Sequence, residues 1–175
     1  MEMNQAIVHI RDLLFDEMEL AVSTSCGLFD KIAEDQWDFR PREGMRSLIE
    51  LARHLATVPK QEQLILQEQS MDEVRQSVGA SIMQLHDADA LSSAMRSGVQ
   101  TLKSYMTSLD EASFLYRETA PFFAKHQPAP QVKWLIEITT HLYHHRGQMF
   151  TYMKQLGLPV SMYDLYGPAS DSWTL

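Results

Sequence analysis

The chain has 175 residues, 45% of them hydrophobic and 22% charged, and a formal net charge of -8. That length fits a single domain, 1–175, able to bury roughly 70% of its unfolded surface, and the acidic balance without a basic stripe argues against a nucleic-acid partner. No apolar run nears the roughly 20 residues that cross a bilayer, the first residues lack a basic leader pattern, and the one cysteine, Cys26, can form no internal disulfide. No membrane role and a cytoplasmic location are therefore expected.

Asn4 to Ala33 reads as a first helix, because Ile7, Ile10, Leu14, Met18, Val22 and Phe29 fall on one apolar stripe. A connector follows from Glu34 to Gly44, with Trp37 and Phe39 expected to pin it to the core. Ser47 and Glu50 have the spacing of a capping box and open a second helix that runs to about Gln69. Its apolar face includes Leu48, Leu51, Leu55, Val58 and Ile65, and Pro59 inside it removes one backbone donor.

Met71 to Val78 fits a short helix stopped by Gly79. Asp87 or Asp89 can cap a third long helix from Ala88 to Leu109, striped by Leu91, Met95, Val99, Leu102 and Met106. Asp110 to Pro130 reads as a long connection. A fourth helix runs from Pro130, in its first turn, to Leu156, with Gly157 and Pro159 marking the stop. The tail from Leu158 to Leu175 has no period, and Tyr163 and Tyr166 are its candidates for docking. Four long amphipathic helices and no alternating strand pattern predict an all-α four-helix bundle with a long crossover connection.

The chemistry lies in His141-Leu142-Tyr143-His144-His145-Arg146-Gly147-Gln148. Residues four apart on a helix differ by about 40° around the axis, so His141 and His145 can aim two imidazoles at one metal ion. Spacing leaves His144 open as the alternative to His145, while Leu142 and Met149 mark the core side and favour His145. His54, three residues past Leu51 and four before Val58, points inward and is the candidate third ligand. Glu137, four residues before His141, is either a solvated glutamate, the commoner case, or a candidate to orient that imidazole. Glu50, four before His54, is already used as a cap. Gly147 is expected to permit close helix contact, and Gln148 to line the pocket or bond across the bundle. Cys26 and the eleven methionines read as core filler.

Arg46-Ser47-Leu48-Ile49-Glu50-Leu51-Ala52-Arg53-His54, the His141 to Gln148 element, Tyr152 to Gly157 and Tyr163-Asp164-Leu165-Tyr166-Gly167 together resemble the DinB family (DinB/YfiT-like) of small bacterial four-helix proteins over nearly the whole chain. Ser70 to Asp87 has no counterpart in that pattern. The resemblance implies that His54, His141 and His145 bind zinc, nickel or another divalent ion. It also implies a thiol S-transferase that adds a low-molecular-weight thiol, such as bacillithiol, mycothiol or glutathione, to a small-molecule electrophile. In that reading Arg146 or nearby polar groups would hold the thiol's carboxylate; otherwise Arg146 simply pairs with a surface carboxylate. The alternatives are a metal-dependent hydrolase with Glu137 as its base and a non-enzymatic, stress-related metal-binding protein. Relatives of this kind are commonly homodimers.

Overall fold

The computed structural model describes residues 4–167, and short polar side chains open its helices. Asn4 accepts from the Ala6 amide at the start of α1 (Gln5–Phe29). The helix stops four residues before the expected Ala33, and a 3-10 turn follows at Glu34–Gln36. Its buried face is carried by Phe15, Met18, Val22, Leu28 and Phe29, whereas Ile10, placed on the stripe from sequence, is 54% exposed. Ile10 stands about 80° around the axis from Met18, and further from Phe15 and Val22, which takes it off the core face.

The connector does two jobs. Trp37 is buried and Phe39 packs edge-on against Tyr152, with ring centroids 6.5 Å apart, so both aromatics pin it as expected. Their carbonyls then accept from the first two amides of α2 (Leu48–Leu66), Trp37 from Ile49 and Phe39 from Leu48, each at 2.9 Å. The third orphan amide, that of Glu50, bonds Ser47 Oγ, and Glu50 reaches back to the Ser47 amide at 2.8 Å. Arg40 pairs with the same Glu50 carboxylate. The second helix therefore starts in a fixed place and at a fixed rotation, which sets where His54 points.

A second capping box, Ser70 with Glu73, opens α3 (Met71–Ile82), which runs through Gly79 rather than stopping there. Glycine in a helix costs only about 1 kcal/mol, and tertiary packing overrides it. Val74 and Val78 supply that packing against Leu64 and Ile65 of α2, with Phe122 laid over them. Asp87, not Asp89, caps α4 (Ala88–Ser108) through the Ala90 amide.

The long connection after α4 is more ordered than its sequence suggests. Asp110 caps a short α5 (Glu111–Tyr116). Two residues of β1 (Glu118–Thr119) then pair antiparallel with β2 (Ala129–Pro130), Thr119 opposite Ala129. Pro130 is the N-cap of α6 (Gln131–Gln155), one position before the first turn. Buried Gln131 holds this corner: it accepts from Tyr105 Oη at 3.0 Å and donates to Thr119 Oγ1 at 2.9 Å. Trp134 Nε1 donates to the Thr119 carbonyl at 3.0 Å.

The chain end docks through α7 (Tyr163–Tyr166), but not by its tyrosine rings, which are largely exposed. Val160 is buried, Leu165 packs on the core, and Lys31, in the turn just after α1, pairs with Asp164 at 2.6 Å. Residues 168–175 of the expected tail lie outside the described residues.

The long helices α1, α2, α4 and α6 form the expected bundle. Helix α1 packs on α4 and α6, and α2 packs on the same two. So α1 and α2 stand at opposite corners, and the connections 30–47 and 109–130 each cross the bundle. This arrangement lays α2 directly against α6. Pro59, buried in α2, meets α4 closely: a Cβ on Gly98 would lie 3.1 Å from the Lys60 amide nitrogen and 3.3 Å from Pro59 Cβ. Among the described residues, no helix is long and apolar enough to cross a membrane.

Candidate metal centre

Where α2 faces α6, three imidazoles meet. His54 Nε2 lies 2.9 Å from His145 Nε2, and His141 Nε2 lies 2.9 Å from the same atom. All three candidate ligand nitrogens fall within 4.8 Å of one another. Ligands about 2.0–2.1 Å from a tetrahedral zinc ion are separated by about 3.3 Å. A movement of a few tenths of an ångström therefore opens the cluster to the size of a divalent ion. The heptad-like apolar neighbours Leu51, Leu55, Ile138 and Leu142 are buried around it, which fixes the faces that carry the rings.

Electrostatics prepare the nitrogens. Burial, followed by the neighbouring His145, pushes the His54 imidazole down to about 3. Burial likewise pushes His145 down to about 4, against the opposing effect of its hydrogen bond to Gln148. Both rings are neutral at pH 7, the form that carries a lone pair for a cation. The bond between His145 Nδ1 and Gln148 Oε1, at 2.7 Å, fixes the tautomer, because an amide oxygen only accepts. Nδ1 therefore holds the proton, and Nε2 faces the cluster unprotonated. The donor set and its protonation fit a borderline ion such as zinc or nickel.

The other residues singled out from sequence are placed as follows. His144 is exposed, with its ring edge-on to His145 at 4.8 Å, and it does not join the cluster. Of the two rings that spacing left open, it is His145 whose nitrogen lies in the cluster. Glu137 does not orient His141. It pairs with Lys133 one turn earlier, on the exposed side of α6. The carboxylate at His141 is Glu62 of α2, whose Oε1 lies 3.4 Å from His141 Nδ1. Glu62 is the residue that sequence reasoning missed. It lies two helical turns past His54, and its one available signal is an acidic residue on the ligand-bearing side of α2.

Arg146 also departs from expectation. It is 3% exposed and points away from the histidines into the seam of α1, α6 and α7. Its Nη1 donates to Thr24 Oγ1 at 2.8 Å, and its guanidinium lies 4.3 Å from the Tyr143 ring centroid. It is not available to hold the carboxylate of a thiol. Gln148 bonds its own helix rather than across the bundle. Gly147 makes no close helix contact, since nothing lies within 4 Å of where its Cβ would stand. Cys26 is buried and free, as expected of core filler.

A groove of about 700 Å³ opens beside the cluster, bordered by Glu62, His141 and His144. The crossover segment supplies its other wall, with Pro121 and Phe123 facing Trp134 and Ile138 of α6. Phe123 is 66% exposed. Lys133 and Glu137 stand at its edge.

A family model described as the DinB family matches residues 3–171. A DinB-family structure from Exiguobacterium sibiricum aligns over 93% of this chain and 99% of its own, with a TM-score of 0.72 and 23% identity. A DinB-like protein of Bacillus subtilis aligns over 85% of this chain and 96% of its own, at TM-score 0.60 and 22% identity. One from Bacillus cereus covers 85% and 93%, at 0.64 and 18% identity. At these identities the likeness is one of fold. The uncharacterized protein YrdA of Bacillus subtilis is 35% identical over 86 residues, a stretch spanning 49% of this chain and 46% of YrdA. The chain thus matches about half the length of that curated relative.

Proposed function

The chain belongs to the DinB family, and from that premise we propose that it binds one divalent metal ion through His54, His141 and His145 and acts as a thiol S-transferase. In this reading it joins a low-molecular-weight thiol to a small electrophile. The observation that carries the proposal is the convergence of three imidazole Nε2 atoms from two helices on one point. A zinc or nickel ion held by these three neutral nitrogens would keep its positive charge, and the chemistry it would supply is to lower the pKa of a thiol so that the thiolate forms at neutral pH.

The chain's own residues do the rest. Gln148 holds His145 in one tautomer, and Glu62 stands behind His141. Such partners keep ring orientation fixed and raise ligand basicity. The apolar wall of Phe123, Trp134 and Ile138 offers a surface on which the carbon body of an electrophile sheds water. Glu137, the base expected for the hydrolase alternative, is engaged by Lys133 on the exposed side of α6, which counts against that alternative.

Metal analysis is the first test. Protein prepared without a metal-affinity column and dialysed against zinc is expected to retain one equivalent, and His54→Ala none, with helicity unchanged. A full equivalent in that variant would rule out the assignment. The metal-loaded protein is then expected to conjugate a thiol to monochlorobimane above the uncatalysed rate. Ester hydrolysis without thiol consumption would overturn the transferase reading while leaving the metal site standing.

A further inference from the structure

Glu62 is a carboxylate with an unmet demand. Its side chain is only 12% exposed. Oε1 faces His141 Nδ1, whereas Oε2 is buried with no hydrogen-bond partner among the described residues. A buried acceptor left unsatisfied is costly, and an ionised one more so. The same carboxylate borders the groove, which is where a donor can arrive.

The charges around the groove narrow the choice of donor. Its lining carries two carboxylates, Glu62 and Glu137, and one fixed cation, Lys133, already paired with Glu137. Arg146, the cation expected to receive a carboxylate, is buried in the seam on the α1 and α7 side of α6. Arg46 is near enough to act on His54 and His145 but does not line the groove, so among the described residues the lining itself offers an anionic head no unpaired lysine or arginine, and offers a cationic one the carboxylate of Glu62.

We propose that the thiol used by this protein is an aminothiol, and that Glu62 receives its ammonium group. The proposal rests on the metal-thiol reading above and names its substrate class. One imidazole ring separates the Glu62 carboxylate from the convergent nitrogens, since His141 turns Nδ1 to Glu62 and Nε2 to the cluster. Sulfur and nitrogen must therefore be joined by a short chain, as in a cysteinyl unit with a free amine. Thiolate and ammonium together match a site that pairs a metal ion with a carboxylate. An ammonium hydrogen bonded to a carboxylate is the charge-assisted kind, roughly twice as strong as a neutral bond.

The test compares small probes on the zinc-loaded protein by calorimetry. Cysteamine is expected to bind about tenfold more tightly than 2-mercaptoethanol or N-acetylcysteamine, with 3-mercaptopropionate weakest. In Glu62→Gln, cysteamine alone is expected to weaken, so that its advantage over 2-mercaptoethanol disappears. A merely structural role for Glu62 behind His141 would instead weaken all the thiols equally, and that result overturns the proposal. So does a preference for 3-mercaptopropionate, or an advantage for cysteamine that survives in Glu62→Gln. Failure of the metal reading is seen separately, as protein that takes up no zinc. In that event benzylamine, benzyl alcohol and benzoate are compared on the metal-free protein. A benzylamine preference lost in Glu62→Gln supports the ammonium site, and its absence overturns it.

Discussion

Gln148 Oε1 lies 2.7 Å from His145 Nδ1, one turn further along the same helix. The bond leaves His145 one free nitrogen, and that nitrogen is the atom shared by both close contacts of the cluster. Removing the amide in Gln148→Ala frees the ring to take the other tautomer and to rotate. Loss of a partner of this kind typically costs 10–100-fold in metal affinity. Competition with a colorimetric chelator is expected to show a drop of about that size, with one equivalent still bound at saturation. Gln148→Glu, which retains an acceptor, is expected to recover most of the affinity.

The metal-free protein is expected to lose stability as pH falls below about 6.5. His54 and His145 sit at about 3 and about 4 in the fold, against an ordinary value of 6.5. Below 6.5 the unfolded chain takes up protons that the folded chain refuses, so acid favours unfolding down to the folded values. Above 6.5 both states leave these rings neutral and the two histidines add no slope. Urea titrations at pH 7, 6 and 5 would measure this directly. The double variant His54→Leu/His145→Leu is expected to flatten the profile over that window. An unchanged slope in the variant would mean that other groups carry it. Bound zinc adds about 2.7 kcal/mol at a free concentration 100 times its Kd, and acid is expected to remove that gain as protons compete for the same nitrogens.

Arg146 follows His145 directly and so points about 100° away around the helix. It belongs to the seam that docks α7 and faces Thr24. Its guanidinium fills space against Tyr143, with Nε buried and without a hydrogen-bond partner among the described residues. Arg146→Ala is therefore expected to destabilise the protein by about 2–4 kcal/mol, the range of a large buried truncation. Zinc stoichiometry and the relative affinities of the four thiol probes are expected to stay as in the parent. A selective loss of 3-mercaptopropionate binding would return Arg146 to the substrate site.

Much of this was legible from residue order. The Ser47–Glu50 box, a cap at Asp87 or Asp89 and the apolar stripes of α2 and α4 are local patterns, and local physics decides them. The His141/His145 pair was legible for the same reason, since both rings ride one helix. His54 was legible from its apolar neighbours Leu51 and Val58. The meeting of Glu62 with His141 was not, because it depends on how α2 and α6 align along their axes, and two crossing connections set that alignment. The groove wall was equally hidden. The pairing of Thr119 with Ala129 is too short to leave an alternating pattern, and Phe123 sits in a segment with no period. Glu137 entered as a candidate because a one-helix line is the only geometry that spacing supplies, and its exposed pairing with Lys133 agrees with the solvated alternative.

Gly147 on α6 and Gly98 on α4, both within helices, are expected to behave oppositely. Sequence pointed to Gly147, within the histidine motif, as the close contact. The close contact is at Gly98, where an added Cβ meets the Lys60 backbone at 3.1 Å, while Gly147 has open space around it. Gly147→Ala gains helix propensity worth up to about 1 kcal/mol and meets nothing. It is expected to raise the melting temperature without changing zinc affinity. Gly98→Leu must push α4 away from α2 at Pro59 and Lys60. Overpacking of this kind costs about 1–3 kcal/mol, and the strain falls on the helix that carries His54. Thermal melts of both variants with and without zinc separate the two effects. A Gly98→Leu protein as stable as the parent would show that α2 and α4 can part freely, and that His54 is held by α6 alone.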